Sequence, residues 1–144
     1  MTSRGVRGAT TVEANTREAV LCGARQLLAL MIRRNGIRAE DVASTIFSLT
    51  KDLDADFPAL AARQLGWLDV PLLCVNEIPV PGALPLCVRI LINWNTEKSQ
   101  KEVKHVYMKA AVQLRPDLCE FPAVDLDELE AWIATQMAQS DGPE

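Results

Sequence analysis

The chain carries ten arginines against five lysines although its net charge is −4. Four of those arginines, Arg7, Arg63, Arg89 and Arg115, sit inside or beside apolar stretches rather than in charged runs. A planar guanidinium held in such surroundings suits recognition of carboxylates. Glu77 closes the run "VPLLCVNE", and Tyr107 is the one tyrosine of the chain. These residues offer fixed cations, a fixed anion and a phenol. Such a set can bind and polarise an anionic substrate without attacking it.

Other chemistries lack their parts. His105 is the only histidine and stands in no pattern with a serine or cysteine nucleophile, so a catalytic triad has no base. Cys22, Cys74, Cys87 and Cys119 are scattered with no C-x-x-C pair, which argues against structural zinc and for reduced thiols packed as small hydrophobes. "RGVRGATT" lacks the third glycine and the strand-to-helix context of a dinucleotide fingerprint, and there is no P-loop. No metal and no cofactor are expected. An acidic balance with no basic cluster makes nucleic acid a poor partner. No apolar run approaches the ~20 residues that span a bilayer. No apolar segment follows Arg4 and Arg7 as it would in a secretory signal, so the expected location is cytoplasmic.

Each candidate residue also has a plain structural reading. Arg7 fits a solvated terminus, Arg63 the surface of a short helix, and Arg89 the exposed face of a strand. Glu77 fits a pair with a nearby arginine, Tyr107 a core or rim position, and Arg115 a turn salt bridge before Pro116. Taken singly, none of them makes a site.

The elements that must position these residues are legible from periodicity. At 144 residues the chain fits one domain, burying roughly 70% of its unfolded surface. Residues 3–9 form a strand whose glycines imply close approach by another backbone. Asn15 as N-cap with Glu18 opens a helix in which Val20, Leu21, Ala24, Leu27, Leu28, Met31 and Ile32 recur at helical spacing, stopped at Asn35-Gly36. "VASTIFSL" (42–49) is a β-rich strand, and Pro58 opens a short helix that ends at Gly66. Strands follow at 70–77 and 86–95, joined by the proline-rich "IPVPGALP". On the second of these, alternation puts Arg89 on one face and Val88, Ile90 and Ile92 on the other. Residues 103–114 read as a fifth strand or a short helix. Leu126, Leu129, Trp132, Ile133 and Met137 mark a C-terminal amphipathic helix. The fold class is α+β, a mixed sheet of about five strands packed on one long helix, with a second face and edges that favour oligomers.

The short motifs "RGVRGATTVEANT", "DFPALAAR", "GW", "LLCVNEI", "CVRILI", "HVY" and "LRPDL", in that order and spacing, closely resemble the monofunctional chorismate mutases of the Bacillus type. The resemblance covers about Arg4 to Leu118, so a mutase domain is expected over residues 1–118 and an extension with a helix and a frayed end over 119–144. It implies a homotrimeric pseudo-α/β-barrel with active sites at subunit interfaces and chorismate as substrate, rearranged to prephenate on the branch toward phenylalanine and tyrosine. By motif it implies that Arg89 faces the breaking ether bond, Glu77 the ring hydroxyl, and Arg7 and Tyr107 the substrate carboxylates. Phe57, Ala59, Arg63, Leu73 and Cys74 match pocket-lining positions, and Arg115 matches the segment that closes over the cleft. Leu60 departs from the family, which commonly has lysine there. The reaction suits the residues, because a concerted rearrangement of a flexible dianion calls for conformer selection and fixed charge and for no proton transfer. A metabolite sensor without turnover, or an imine or enamine deaminase of related fold, are the competing readings.

Overall fold

The computed structural model describes residues 1–114 and 124–139. Five strands, β1 (Thr2–Thr11), β2 (Val42–Leu49), β3 (Leu72–Asn76), β4 (Cys87–Thr96) and β5 (Val106–Tyr107), form one mixed sheet in the order β3-β2-β4-β1-β5. β4 runs antiparallel to both β1 and β2, while β3 lies parallel to β2 and β5 parallel to β1. Three helices accompany it: α1 (Arg17–Asn35), α2 (Ala59–Gln64) and α3 (Leu126–Gln139).

The sheet has one face closed by α1 and one left open. Period-2 alternation sorts the side chains between them. Val6, Phe47, Val88, Ile90 and Ile92 are essentially inaccessible, and four of them share a core with Leu27, Leu28 and Met31 of α1, while Val88 joins Val20, Leu21 and Ala24. A fully buried aliphatic or aromatic side chain contributes about 1.5–3 kcal/mol relative to exposure, so this layer carries the scaffold. The alternate residues Arg7, Ile46, Ser48, Arg89 and Leu91 border a cavity on the other face.

The helix start departs from the sequence expectation by one residue. Thr16, not Asn15, is the N-cap, its hydroxyl accepting from the Ala19 amide at 3.1 Å. Asn15 instead ties the helix entry to the 54–55 loop, accepting from both the Asp54 and Ala55 amides at 3.0 Å. Gly36 closes the helix in the left-handed conformation at φ 71°, as the Asn-Gly pair predicts. Pro58, expected as the first helical residue, stands instead at the N-cap of α2, which begins one residue later at Ala59.

The glycines of β1 act differently from expectation. A Cβ at Gly8 would stand 2.5 Å from Met31 Sδ, so what approaches is a side chain of α1 and not a backbone; at Gly5 the nearest atom is an ordinary 3.5 Å away. The undecided 103–114 stretch holds both readings in turn, the two-residue β5 and then a 3-10 turn over Lys109–Leu114. The C-terminal helix forms and packs on α1. Leu129 and Ile133 enter the main core, Glu130 accepts from Gln26 at 2.8 Å, and Glu128 pairs with Arg33 at 2.9 Å. Leu126 and Met137 stay outside at 40% and 36% exposure, so the buried stripe is narrower than the spacing predicts. Among the described residues no helix is long and apolar enough to cross a membrane.

Candidate active site

Two of the arginines singled out from sequence, Arg7 and Arg89, fall on the open face of the sheet. Arg7 on β1 and Arg89 on β4 are neighbours across the antiparallel ladder, where Ala9 pairs with Arg89 and Arg7 with Leu91. Tyr107 of β5 pairs with Ala9 on the far side of β1. Arg7, Arg89, Tyr107, Ile46, Ser48 and Leu91 border one cavity of about 200 Å³. The Arg7 amide donates to His105 Nδ1 at 3.0 Å, which fastens the short β5 segment, and with it Tyr107, beside β1.

Glu77 follows the last residue of β3, where its amide donates to the Leu49 carbonyl at 2.8 Å. Its Oε2 lies 3.5 Å from Arg89 Nε and accepts from the Ser48 hydroxyl at 2.8 Å. Arg89 is 42% exposed through its side chain, yet its Nε is buried. The side chain is thus buried at Nε and part-exposed elsewhere, with the Cys87 thiol as a further neighbour. β4 begins at an unusual joint: Leu86 takes a left-handed φ of 51°, and the Asp52 carboxylate accepts from its amide at 3.0 Å. The Thr50 hydroxyl bonded to Asp52 holds that carboxyl below its ordinary range. Thr50 also accepts from the Cys87 amide at 3.0 Å, so the joint that feeds Arg89 into the sheet is clamped on both sides.

The second group of expected residues lies elsewhere. Phe57, Ala59, Arg63, Leu73 and Cys74 border a separate cavity of about 480 Å³ between α2 and the β3 edge. None of its lining residues belongs to the open-face cavity. Phe57 is 72% exposed and Leu73 58% exposed. Arg63 donates to the Leu68 carbonyl at 3.3 Å. Leu60 borders the same cavity, so the place where the resembled family carries lysine is apolar. Burial raises the Cys74 thiol above its ordinary range, and Cys87 likewise, so both are protonated thiols near neutrality. Arg115 lies outside the described residues.

Sequence reasoning passed over Ser48, Ile46 and Asp52. The signal for the first two was available: in "STIFSL" the alternation that buries Phe47 turns Ile46 and Ser48 to the face of Arg89. Asp52 left none, because its partner Leu86 is 34 residues away. Among the described residues no group of three or more histidine, cysteine, aspartate or glutamate side chains is placed to hold a metal ion.

Residues 3–118 match the family described as Chorismate mutase type I. Chorismate mutase AroH of Thermus thermophilus is 53% identical over 116 residues, which is 80% of this chain and 95% of the relative. Chorismate mutase AroH of Bacillus subtilis is 45% identical over 119 residues, covering 82% and 94% respectively. A solved chorismate mutase from Clostridium thermocellum superposes with a TM-score of 0.73 at 48% identity, over 74% of this chain and 96% of that one. In sequence and in fold, this chain belongs to the type I chorismate mutase family.

Proposed function

We infer that the chain is a chorismate mutase, converting chorismate to prephenate by a concerted 3,3-sigmatropic rearrangement, with residues 1–118 as its catalytic unit. The observation that carries the reading is Arg89, buried at Nε beside Glu77 yet part-exposed along its side chain, in a cavity it shares with Arg7 and Tyr107. In the rearrangement the ether bond breaks ahead of full carbon–carbon bonding, so negative charge grows on the ether oxygen. A guanidinium already aimed at that oxygen needs no reorganisation in the transition state, and by analogy with an oxyanion-hole donor contributes about 3–4 kcal/mol. Arg7 and Tyr107 bind carboxylate and select the compact conformer, and Glu77 accepts from the ring hydroxyl. Three guanidiniums, those of Arg7, Arg63 and Arg89, against the one carboxylate of Glu77 leave two positive charges for a dianion. Arg115 is proposed to close over the cleft. The chemistry uses no cofactor.

The two cavities also support an assembly. Neighbouring strands lie about 4.8 Å apart, so Tyr107 on β5 stands four spacings, about 19 Å, across the sheet from the β3 edge that carries Leu73 and Cys74. The two cavities share no lining residue. We propose a homotrimer in which the open face of one subunit meets the α2 and β3 edge of the next, so that Phe57, Ala59, Arg63, Leu73 and Cys74 complete the site across the interface. The exposed Leu73, Val75 and Ile78, at 58%, 41% and 74%, supply apolar surface for it. A cytoplasmic setting fits the free thiols of Cys22, Cys74 and Cys87.

Loss of chorismate absorbance on adding purified protein tests the activity, and no acceleration over buffer would overturn it. The shared site is tested by mixing Arg89→Ala with Arg63→Ala after dissociation and reassembly, assayed at chorismate well below KM, where both variants are impaired. If the two groups come from different subunits, about a quarter of all sites after random reassembly are intact and activity rises above the mean of the two separate variants. If they come from one subunit, mixing restores nothing.

A further inference from the structure

Ser48 lies on β2 directly across from Arg89 on β4, and both border the open-face cavity. Its hydroxyl donates to Glu77 Oε2 at 2.8 Å. The same oxygen stands 3.5 Å from Arg89 Nε. That Nε is buried and has no hydrogen-bond partner. A carboxylate this close to a guanidinium N–H ordinarily closes to about 2.7–2.9 Å, often with two parallel bonds. Leaving a buried donor unpaired is unfavourable, so something must hold the carboxylate back. The Ser48 hydroxyl, delivered from the neighbouring strand to the same oxygen, is the group in place to do so.

We propose that Ser48 is a positioning residue that keeps Glu77 from closing a bidentate ion pair with Arg89. The inference rests on the reading that Arg89 stabilises the breaking ether bond. A closed pair would occupy guanidinium donors and cancel much of the positive potential in the cavity. With Oε2 tethered to Ser48, the guanidinium keeps its donors for the transition state. Oε1 is then the oxygen available to a substrate hydroxyl. The tether is short because β2 and β4 are paired in register here, Ser48 to Arg89 and Leu49 to Val88, while β3 delivers Glu77 beside them.

Steady-state kinetics of Ser48→Ala, Ser48→Val and Ser48→Thr test this. Valine and threonine have the same shape and both suit a strand, so the pair isolates the hydroxyl. In the alanine and valine variants kcat falls about tenfold while KM moves no more than about twofold, the split expected when a transition-state interaction is weakened. Threonine restores kcat. In a Glu77→Ala background the Ser48→Ala change costs no further kcat, because the group it restrains is gone. A kcat for Ser48→Val equal to that of Ser48→Thr would overturn the inference, as would an equal loss with and without Glu77. Arg89→Ala, measured beside them, separates the two levels. If it is impaired while the Ser48 series is flat, only the positioning role fails; if it keeps full kcat, the reading of Arg89 fails and the role of Ser48 with it.

Discussion

The open face of the sheet and its β3 edge are both bordered by residues the motifs single out, yet they are built in opposite ways. On the open face the site residues are tied to neighbours: the Arg7 amide donates to His105, the Glu77 carboxylate accepts from Ser48, and Arg89 stands on a strand whose start is clamped by Thr50 and Asp52. At the edge, Phe57 and Leu73 project into solvent, and the Arg63 contact is to a carbonyl five residues along the chain. Charges meant to act on a transition state must be fixed before the substrate arrives, and paired strands fix them to within fractions of an ångström. An edge cavity needs only shape and apolar surface, which a second copy of the chain can complete. On the proposed assignment, the contrast concentrates catalytic power on the sheet and leaves the edge to binding and assembly.

Substitutions at four positions break or sharpen that contrast. The largest effect belongs to Arg89→Ala, with kcat lowered about 10²–10³-fold, and Arg89→Lys recovers little because lysine lacks the planar fork. A near-normal kcat in the lysine variant would end the distinction between the two regions. Arg63→Ala, on the edge, should raise KM about tenfold with kcat moved less, since its contact exists equally in the ground and transition states. A kcat effect as large as that of Arg89 would put chemistry on the edge as well.

The third substitution tests the scaffold beneath the open face. A Cβ at Gly23 of α1 would stand 2.5 Å from Val12 Cγ1, a stiff branched side chain just past β1. Gly23→Ala is therefore expected to lower stability by about 1–3 kcal/mol despite alanine's better helix propensity, as read by denaturant unfolding. The smallest effect concerns Asp52, whose carboxyl is held below its ordinary 3.8 chiefly by the Thr50 hydroxyl. A depressed carboxyl contributes stability that is present above the unfolded value and is lost as pH falls through the folded one. Acid unfolding of the wild type should thus be slightly steeper below pH ~4 than that of Asp52→Asn. Parallel acid limbs would show that the Leu86 joint is held by the backbone alone.

Much of the scaffold could be read from the residues. β2 occupies Val42–Leu49, as "VASTIFSL" predicts, because Val42, Thr45, Ile46 and Phe47 are β-branched or aromatic, although the register shifts between Val42 and Ser44. The face of Arg89 followed from the aliphatic residues on either side of it, and Gly36 ends α1 where Asn35-Gly36 stands. The N-cap was misplaced because Asn15 and Thr16 are both good caps, and a contact with residues 54–55 draws Asn15 away. In the 103–114 stretch Val103, Val106 and Met108 are all buried, and no single period describes a strand of two residues followed by a 3-10 turn.

By itself the sequence determined which residues share a side of each element, since side-chain direction repeats every two residues in a strand and every 3.6 in a helix. The tertiary structure alone decided which elements become neighbours. β4 enters between β1 and β2, which sets Arg89 beside Ser48 on one side and near Arg7 on the other, and β3 brings Glu77 to the same place. It also laid α3 on α1, burying Gln26 and Leu30 on a helix whose spacing predicts one apolar face. Strand order answers to the burial of whole faces and to contacts dozens of residues apart, a sum over the entire chain that no local pattern reports.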